Sequence, residues 1–108
     1  MNTIVIGPDG RFQTLKKATA VTSASYAVQS DDTALLCDDT NNHIDVLLPS
    51  ASSPPTRLTV KKLTQALFNG ITVNPLGAQK IDGQSSVVLS GDKSVIRLLS
   101  DGSNWWLV

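Results

Sequence analysis

The side chains of this sequence with acid, base or nucleophilic chemistry are nine aspartates, one histidine and one cysteine, since the chain contains no glutamate. Two aspartate pairs, Asp31-Asp32 and Asp38-Asp39, offer the hard oxygen ligands that calcium prefers. Neither pair has the spacing of an EF-hand loop, and a bidentate glutamate is missing. Asx turns account for both pairs without an ion, so the sequence predicts no metal site.

The histidine and the cysteine also lack the surroundings of a catalytic group. No nucleophile motif of the Gly-x-Ser-x-Gly type accompanies His43, which we interpret as a surface or turn residue. Cys37 follows apolar Leu35 and Leu36, a context that predicts a buried and inert thiol. Most aspartates lie in turn signals and do not form the carboxylate pair that glycoside cleavage requires. We therefore expect a non-enzymatic protein without a cofactor.

The overall charge and apolar pattern exclude further classes of function. Nine Lys and Arg residues balance nine acidic residues, so bulk electrostatics does not favour nucleic-acid binding. The chain has no apolar run long enough to span a membrane. Its first residues lack the basic start and long apolar stretch of a signal peptide, so we expect synthesis in a cytoplasm. A single cysteine excludes a disulfide framework within the chain.

The elements that must position these residues are predicted to be strands. Val, Ile and Thr make up 26 of 108 residues, and glutamate, a good helix former, is absent. From Ser25 onward, strand and turn signals alternate about every ten residues. The pattern predicts an all-β single domain, an antiparallel β-sandwich or jelly-roll-like fold. The predicted strands are 26–29, 33–37, 44–48, 56–63, 71–75, 80–82, 86–89, 94–100 and 105–108.

Residues 1–20 differ from the rest of the chain. The short apolar run 3–6 is stopped by the turn signal 7–10, and the segment is too short to build its own core. We expect an N-terminal arm or edge strand over 1–20 and the β-sandwich module over 21–108. An arm of this kind would become ordered on a partner. The residues expected to attach it are Ile4, Val5, Ile6 and Phe12.

The last predicted hairpin, 94–100 with 105–108, is apolar on both faces. One face carries Val95, Leu99, Trp106 and Val108, and the other carries Ile96, Leu98, Trp105 and Leu107. A small antiparallel sheet normally turns one polar face to water, so the second apolar face is expected to meet another copy. The alternative is a central strand with one half-exposed Trp. The predicted interface comprises Trp105, Trp106, Ile96, Leu98 and Leu107, with one Trp in the core and the other in the contact.

Several short motifs in the second half of the chain resemble a module of bacteriophage virion proteins. They are Ile71-Thr-Val-Asn-Pro75, Lys80-Ile-Asp-Gly83, Val87-Val-Leu89 and the run from Val95 that ends in Ser-Asp-Gly-Ser-Asn-Trp105. The segments Tyr26-Ala-Val28 and Val46-Leu-Leu-Pro49 resemble the usual lead-in of that module. The resemblance covers about residues 25–108 and is to tail-fibre and other particle-surface chains.

The resemblance implies a structural role in the virion, with no catalytic residues to transfer and frequent assembly as homotrimers. Because only about twenty residues precede the module, the chain suits a small accessory protein, such as a capsid decoration protein or a short head fibre. Its expected partners are other copies of itself and virion proteins such as the major capsid protein. The alternative is a tail-fibre tip that binds a bacterial surface glycan, on which an exposed Trp ring would stack.

Overall fold

A computed structural model describes residues 17–108, and all of the regular secondary structure in this range is β-strand. The four predicted attachment residues, Ile4, Val5, Ile6 and Phe12, lie outside the described residues. The strands are β1 (Lys17–Val21), β2 (Ser25–Ala27), β3 (Asp32–Cys37), β4 (Ile44–Leu47), β5 (Arg57–Lys62), β6 (Ile71–Asn74), β7 (Val87–Leu89), β8 (Val95–Ser100) and β9 (Trp105–Leu107).

The strands form a five-stranded sheet, ordered β1-β3-β5-β8-β9, and a four-stranded sheet, ordered β2-β4-β6-β7. The first six strands alternate between the sheets, so the chain returns to each sheet in the same direction. As a result, β1, β3 and β5 are parallel neighbours, and so are β2, β4 and β6. The chain then turns back, and β7, β8 and β9 are added by antiparallel pairing.

This topology corrects the predicted direction of pairing. The all-β class is confirmed for residues 17–108, but the expectation of antiparallel sheets, as in a jelly roll, is wrong because both sheets are mixed. Parallel neighbours require a crossover of the chain, and here each crossover is made through the opposite sheet. This alternation of the chain between two sheets depends on contacts between segments that are distant in the sequence. No turn motif in the sequence therefore predicts it.

Alternation of side chains decides which face of each strand is buried. In β4, Ile44 and Val46 are buried while Asp45 is exposed, and β6 buries Ile71 and Val73 in the same way. Side chains from both sheets belong to one hydrophobic core, in which Trp105 is the largest fully buried residue. Each sheet therefore has a face on the core and a face turned away from it.

The first strand lies across the boundary predicted after residue 20. β1 is the edge strand of the five-stranded sheet and is paired with β3 along its whole length. Thr19 donates a 2.5 Å hydrogen bond to buried Asp32, and the Tyr26 hydroxyl donates to the same carboxylate at 2.6 Å. Burial and the Asp32 charge raise the pKa of Tyr26 to about 12. One carboxylate thus ties together β1, β2 and β3.

Candidate functional site

The terminal hairpin places its two tryptophans on opposite faces of the five-stranded sheet. Trp105 pairs with Ser100 and is fully buried, whereas Trp106 pairs with Leu99 and is 44% exposed. Leu98 is also fully buried in the core, and half-buried Ile96 packs against that core. Three residues of the predicted interface, Trp105, Leu98 and Ile96, therefore face the protein's own core. Trp106 and Leu107 keep exposed surface.

The face of this sheet that is turned away from the core combines exposed apolar side chains with cations. Strand pairing sets Arg57 beside Leu99, which in turn lies beside Trp106. It also sets Thr59 beside Arg97 and Lys61 beside Val95. We call this surface the basic face and define it by its six principal residues, Arg57, Lys61, Val95, Arg97, Leu99 and Trp106. Val95 is 54% exposed, and Ala18, Ala20, Ala34 and Leu36 continue this face on β1 and β3.

The charges of the basic face all have one sign. Lys61 donates to the backbone oxygen of Lys93 at 2.6 Å. Arg57 and Arg97 form no ion pair or side-chain hydrogen bond with another residue of the range 17–108. The described outward positions of the sheet include no acidic residue. Two guanidinium groups are therefore available to a partner beside an apolar surface, a combination that is enriched at protein interfaces.

The ring of Trp106 is held in place by Asp101. The indole Nε1 donates to Asp101 Oδ2 at 2.8 Å, and the backbone amides of Ser103 and Asn104 donate to Oδ1 at 2.9 and 2.8 Å. These hydrogen bonds, of which that from Asn104 is the strongest influence, lower the pKa of Asp101 to about 2. The turn of the hairpin and the orientation of the exposed ring consequently depend on the same carboxylate.

Two of the short motifs identified from the sequence, Ile81-Asp-Gly83 and Ser100-Asp-Gly-Ser-Asn-Trp105, meet at this hairpin. Trp105 N donates to the Lys80 oxygen at 2.8 Å, and the Lys80 amide donates to the Asn104 side chain at 2.9 Å. Asp82, at a φ of 49°, accepts the Leu107 amide at 3.0 Å. Gly83 follows at a φ of 76°, a conformation that glycine adopts without strain. The Ile-Asp-Gly and Ser-Asp-Gly-Ser-Asn-Trp segments thus support β9 through polar contacts.

A second polar cluster is buried between two loops. Lys62 Nζ lies 3.1 Å from Asp39 Oδ2, and both side chains are fully buried. Thr64 accepts from Lys62 at 2.5 Å and donates to Asp39, while the Gly70 amide donates to Asp39 at 2.5 Å. Burial alone would raise the pKa of Asp39, but these hydrogen bonds outweigh it and the pKa is lowered. The cluster holds the β3–β4 turn against the β5–β6 loop.

This cluster was missed from sequence, although a signal for it exists. Leu58 and Val60 are apolar at alternate positions of β5, and the period of two places Lys62 on the same face. A lysine at a buried strand position needs a compensating acid, and Asp39 follows the neighbouring strand β3. Because the two charges and the surrounding donors satisfy one another, the cluster is structural chemistry rather than a reactive site.

The surroundings of His43 and Cys37 do not resemble those of catalytic groups. His43 Nδ1 lies 3.2 Å from the Asn69 oxygen, and Nε2 lies 2.8 Å from Thr72 Oγ1 and 3.8 Å from Asp45. A hydrolase triad places the nucleophile and the acid on opposite ring nitrogens, whereas here both lie at Nε2. Cys37 is buried, and burial with the nearby Asp39 charge raises the pKa of its thiol to about 12.

Residues 17–108 contain no group of three or more His, Cys or Asp side chains arranged to hold a metal ion. They also contain no helix with the length and apolar character needed to cross a bilayer.

Comparison of the chain with models of known protein families and with curated proteins found no match.

Proposed function

We propose that this chain is a non-enzymatic structural protein of a bacteriophage particle, a capsid decoration protein or short head fibre that assembles as a trimer on the particle surface. The observation that carries the proposal is the basic face of the terminal hairpin. Its exposed Trp106 and Val95 lie on a hydrogen-bonded strand pair, and Asp101 fixes the indole ring. Such a rigid apolar surface with flanking arginines fits a lasting contact with protein.

The two sheets support a particle-surface role by their construction. With one shared core between them, we interpret them as the layers of a β-sandwich. The motifs that resemble the virion module are engaged in building that framework, at Lys80, Asp82, Asp101 and Asn104. Because the polar side chains of these motifs hold turns in place, the domain suits a protein that adds buried surface area to a capsid. Bound copies would stabilise the shell by mass action.

Mass spectrometry of intact, purified particles tests this function. We expect the chain among the virion proteins in hundreds of copies for a decoration protein, or roughly a few dozen or fewer for a fibre. Its absence from particles that infect normally would overturn the proposal. A full-length chain with Ile4→Asp and Ile6→Asp tests attachment by the first residues. We expect that chain to be missing from the particle while its far-ultraviolet circular dichroism is unchanged.

A tail-fibre tip that binds a bacterial surface glycan is the second candidate, and the half-exposed ring of Trp106 favours it. A fixed indole on a face that also carries two arginines is able to stack on a sugar, and an arginine of that face can contact an anionic substituent. Binding of the protein to purified surface polysaccharide of the host, lost on Trp106→Ala and retained on the control Leu76→Ala, would support this candidate. Leu76 is exposed away from the basic face.

A further inference from the structure

The outer face of the four-stranded sheet differs in charge from the basic face. One row of paired residues runs Ser25, Asp45, Thr72, Val88, and the next runs Ala27, Leu47, Asn74. We call these seven residues the acidic face. Val88 and Leu47 are exposed, as is the Asp45 side chain at 52%. This surface therefore mixes apolar and polar side chains. Asp45 is the acidic residue among the seven, and the paired outward positions include no Lys or Arg.

The Asp45 carboxylate differs from those of Asp82, Asp92 and Asp101, which are also exposed, in its hydrogen bonding. Asp82, Asp92 and Asp101 each accept hydrogen bonds from backbone amides, so their charges are committed to loops and turns. The imidazole of His43 lies 3.8 Å from the Asp45 carboxylate, and no Lys or Arg of the range 17–108 forms an ion pair with it. Asp45 is thus a carboxylate on an open sheet surface, available to a guanidinium group from outside.

The charge on the basic face decides how two copies can meet there. Pairing of two basic faces would bring together two sets of Arg57, Lys61 and Arg97, and like charges in contact oppose association. A symmetric dimer through this face is therefore disfavoured, because a two-fold axis places the same patch on both sides. Charge complementarity therefore favours a contact between the basic face and a different surface that carries negative charge.

We propose that the basic face of one copy packs on the acidic face of the next, with Arg97 directed to Asp45 and Val95 and Trp106 opposite Leu47 and Val88. This inference rests on the self-association put forward as part of the proposed function, and it names the two surfaces involved. The contact is heterologous, so repetition of it produces a closed ring when the rotation between copies closes, and an open filament otherwise. The proposed trimer is the ring.

A charge-swap experiment on the full-length protein tests the contact. Arg97→Glu and Asp45→Lys are made separately and together, and association is measured by sedimentation equilibrium. We expect each single substitution to weaken association about tenfold or more, and the double variant to recover most of the loss, since it restores opposite charges. Lys80→Glu, an exposed charge change outside both faces, is the control and should associate like the wild type.

The outcomes separate this inference from the proposed function. Recovery in the double variant supports the contact, whether the assembly is a trimer or a filament and whether or not the chain occurs in particles. Additive losses without recovery overturn it, as does an Asp45→Lys variant that associates like the wild type. A wild-type chain that sediments as a monomer at every concentration also overturns it. Circular dichroism of each variant checks that a loss of association does not reflect unfolding.

Discussion

At the residue scale, the finding with the largest consequence for stability is a lysine that is buried on the core-facing side of β5. Lys62 and Asp39 are fully buried, and Thr64 and Gly70 supply the remaining hydrogen bonds. Removal of charges from water costs several kcal/mol per ion, and a buried pair recovers this only with good geometry and satisfied neighbours. Loss of one partner is therefore more damaging than the pair is stabilising.

Lys62→Met should lower the free energy of unfolding by about 3–5 kcal/mol, because it leaves the Asp39 carboxylate buried without a cation. Chemical denaturation with circular dichroism measures the change. Lys80→Met is the matched control, since its side chain is exposed, and it should change the free energy of unfolding by less than about 0.5 kcal/mol. Equal losses of unfolding free energy in the two variants would show that Lys62 in the buried pair contributes no more to stability than an exposed lysine.

Asp101 allows a pH prediction at one residue. Its pKa of about 2 lies below the ordinary value, so the ionised form is favoured by folding. The resulting stabilisation is complete above the unfolded pKa and is lost as pH falls towards about 2. The indole N–H resonance of Trp106 should shift with that low midpoint, whereas the Trp105 indole, which has no described partner, should not. A Trp106 midpoint near the ordinary aspartate value would contradict the assigned hydrogen bond.

At the scale of elements, the hairpin of β8 and β9 has two separate tasks on its two faces. Trp105 fills the core and Trp106 lies on the basic face, so the same substitution should have different effects at adjacent positions. Trp105→Ser should lower the free energy of unfolding by about 3–5 kcal/mol, as loss of a large core side chain does. Trp106→Ser should keep the subunit folded and weaken association. Thermal unfolding and sedimentation of both variants measure the difference, and similar behaviour of the two would contradict it.

The elements also show what sequence reasoning was able to predict. The period of two located Ile44–Leu47, Ile71–Asn74 and Val95–Ser100, because alternation is a local property of each strand. The direction of pairing was not predictable in the same way. Parallel strands that are buried on both faces read as continuous apolar runs. Here their outer faces are partly exposed, so β4 and β6 alternate as antiparallel strands do.

The candidate site was predictable from the sequence only in part. The sequence of residues 94–108 predicts that the hairpin is apolar on both faces. It does not predict which Trp faces the core, since the strand can turn either face inward. The structure decides it through the neighbours of Trp105, which lies beside Ile81 and the Lys80 oxygen. The cations of the basic face come together only when β5 pairs with β8, more than thirty residues further along the chain.

At the scale of the whole molecule, the outer surfaces of the two sheets both expose apolar side chains and differ in charge, which is compatible with self-association. Association that involves only the folded state makes thermal stability depend on concentration. The unfolding midpoint of the wild type should therefore rise as protein concentration is increased. Trp106→Ser should remove most of this dependence, while its midpoint at low concentration stays close to that of the wild type.

Differential scanning calorimetry of both proteins over the same concentration series measures this dependence. Leu67→Ser is the matched control, because Leu67 is highly exposed in the β5–β6 loop, outside both faces. It should retain the concentration dependence of the wild type, since it removes exposed apolar surface without touching the contact. A wild-type midpoint that is constant across the series would mean that the folded subunit is stable alone and that its outer faces serve other partners.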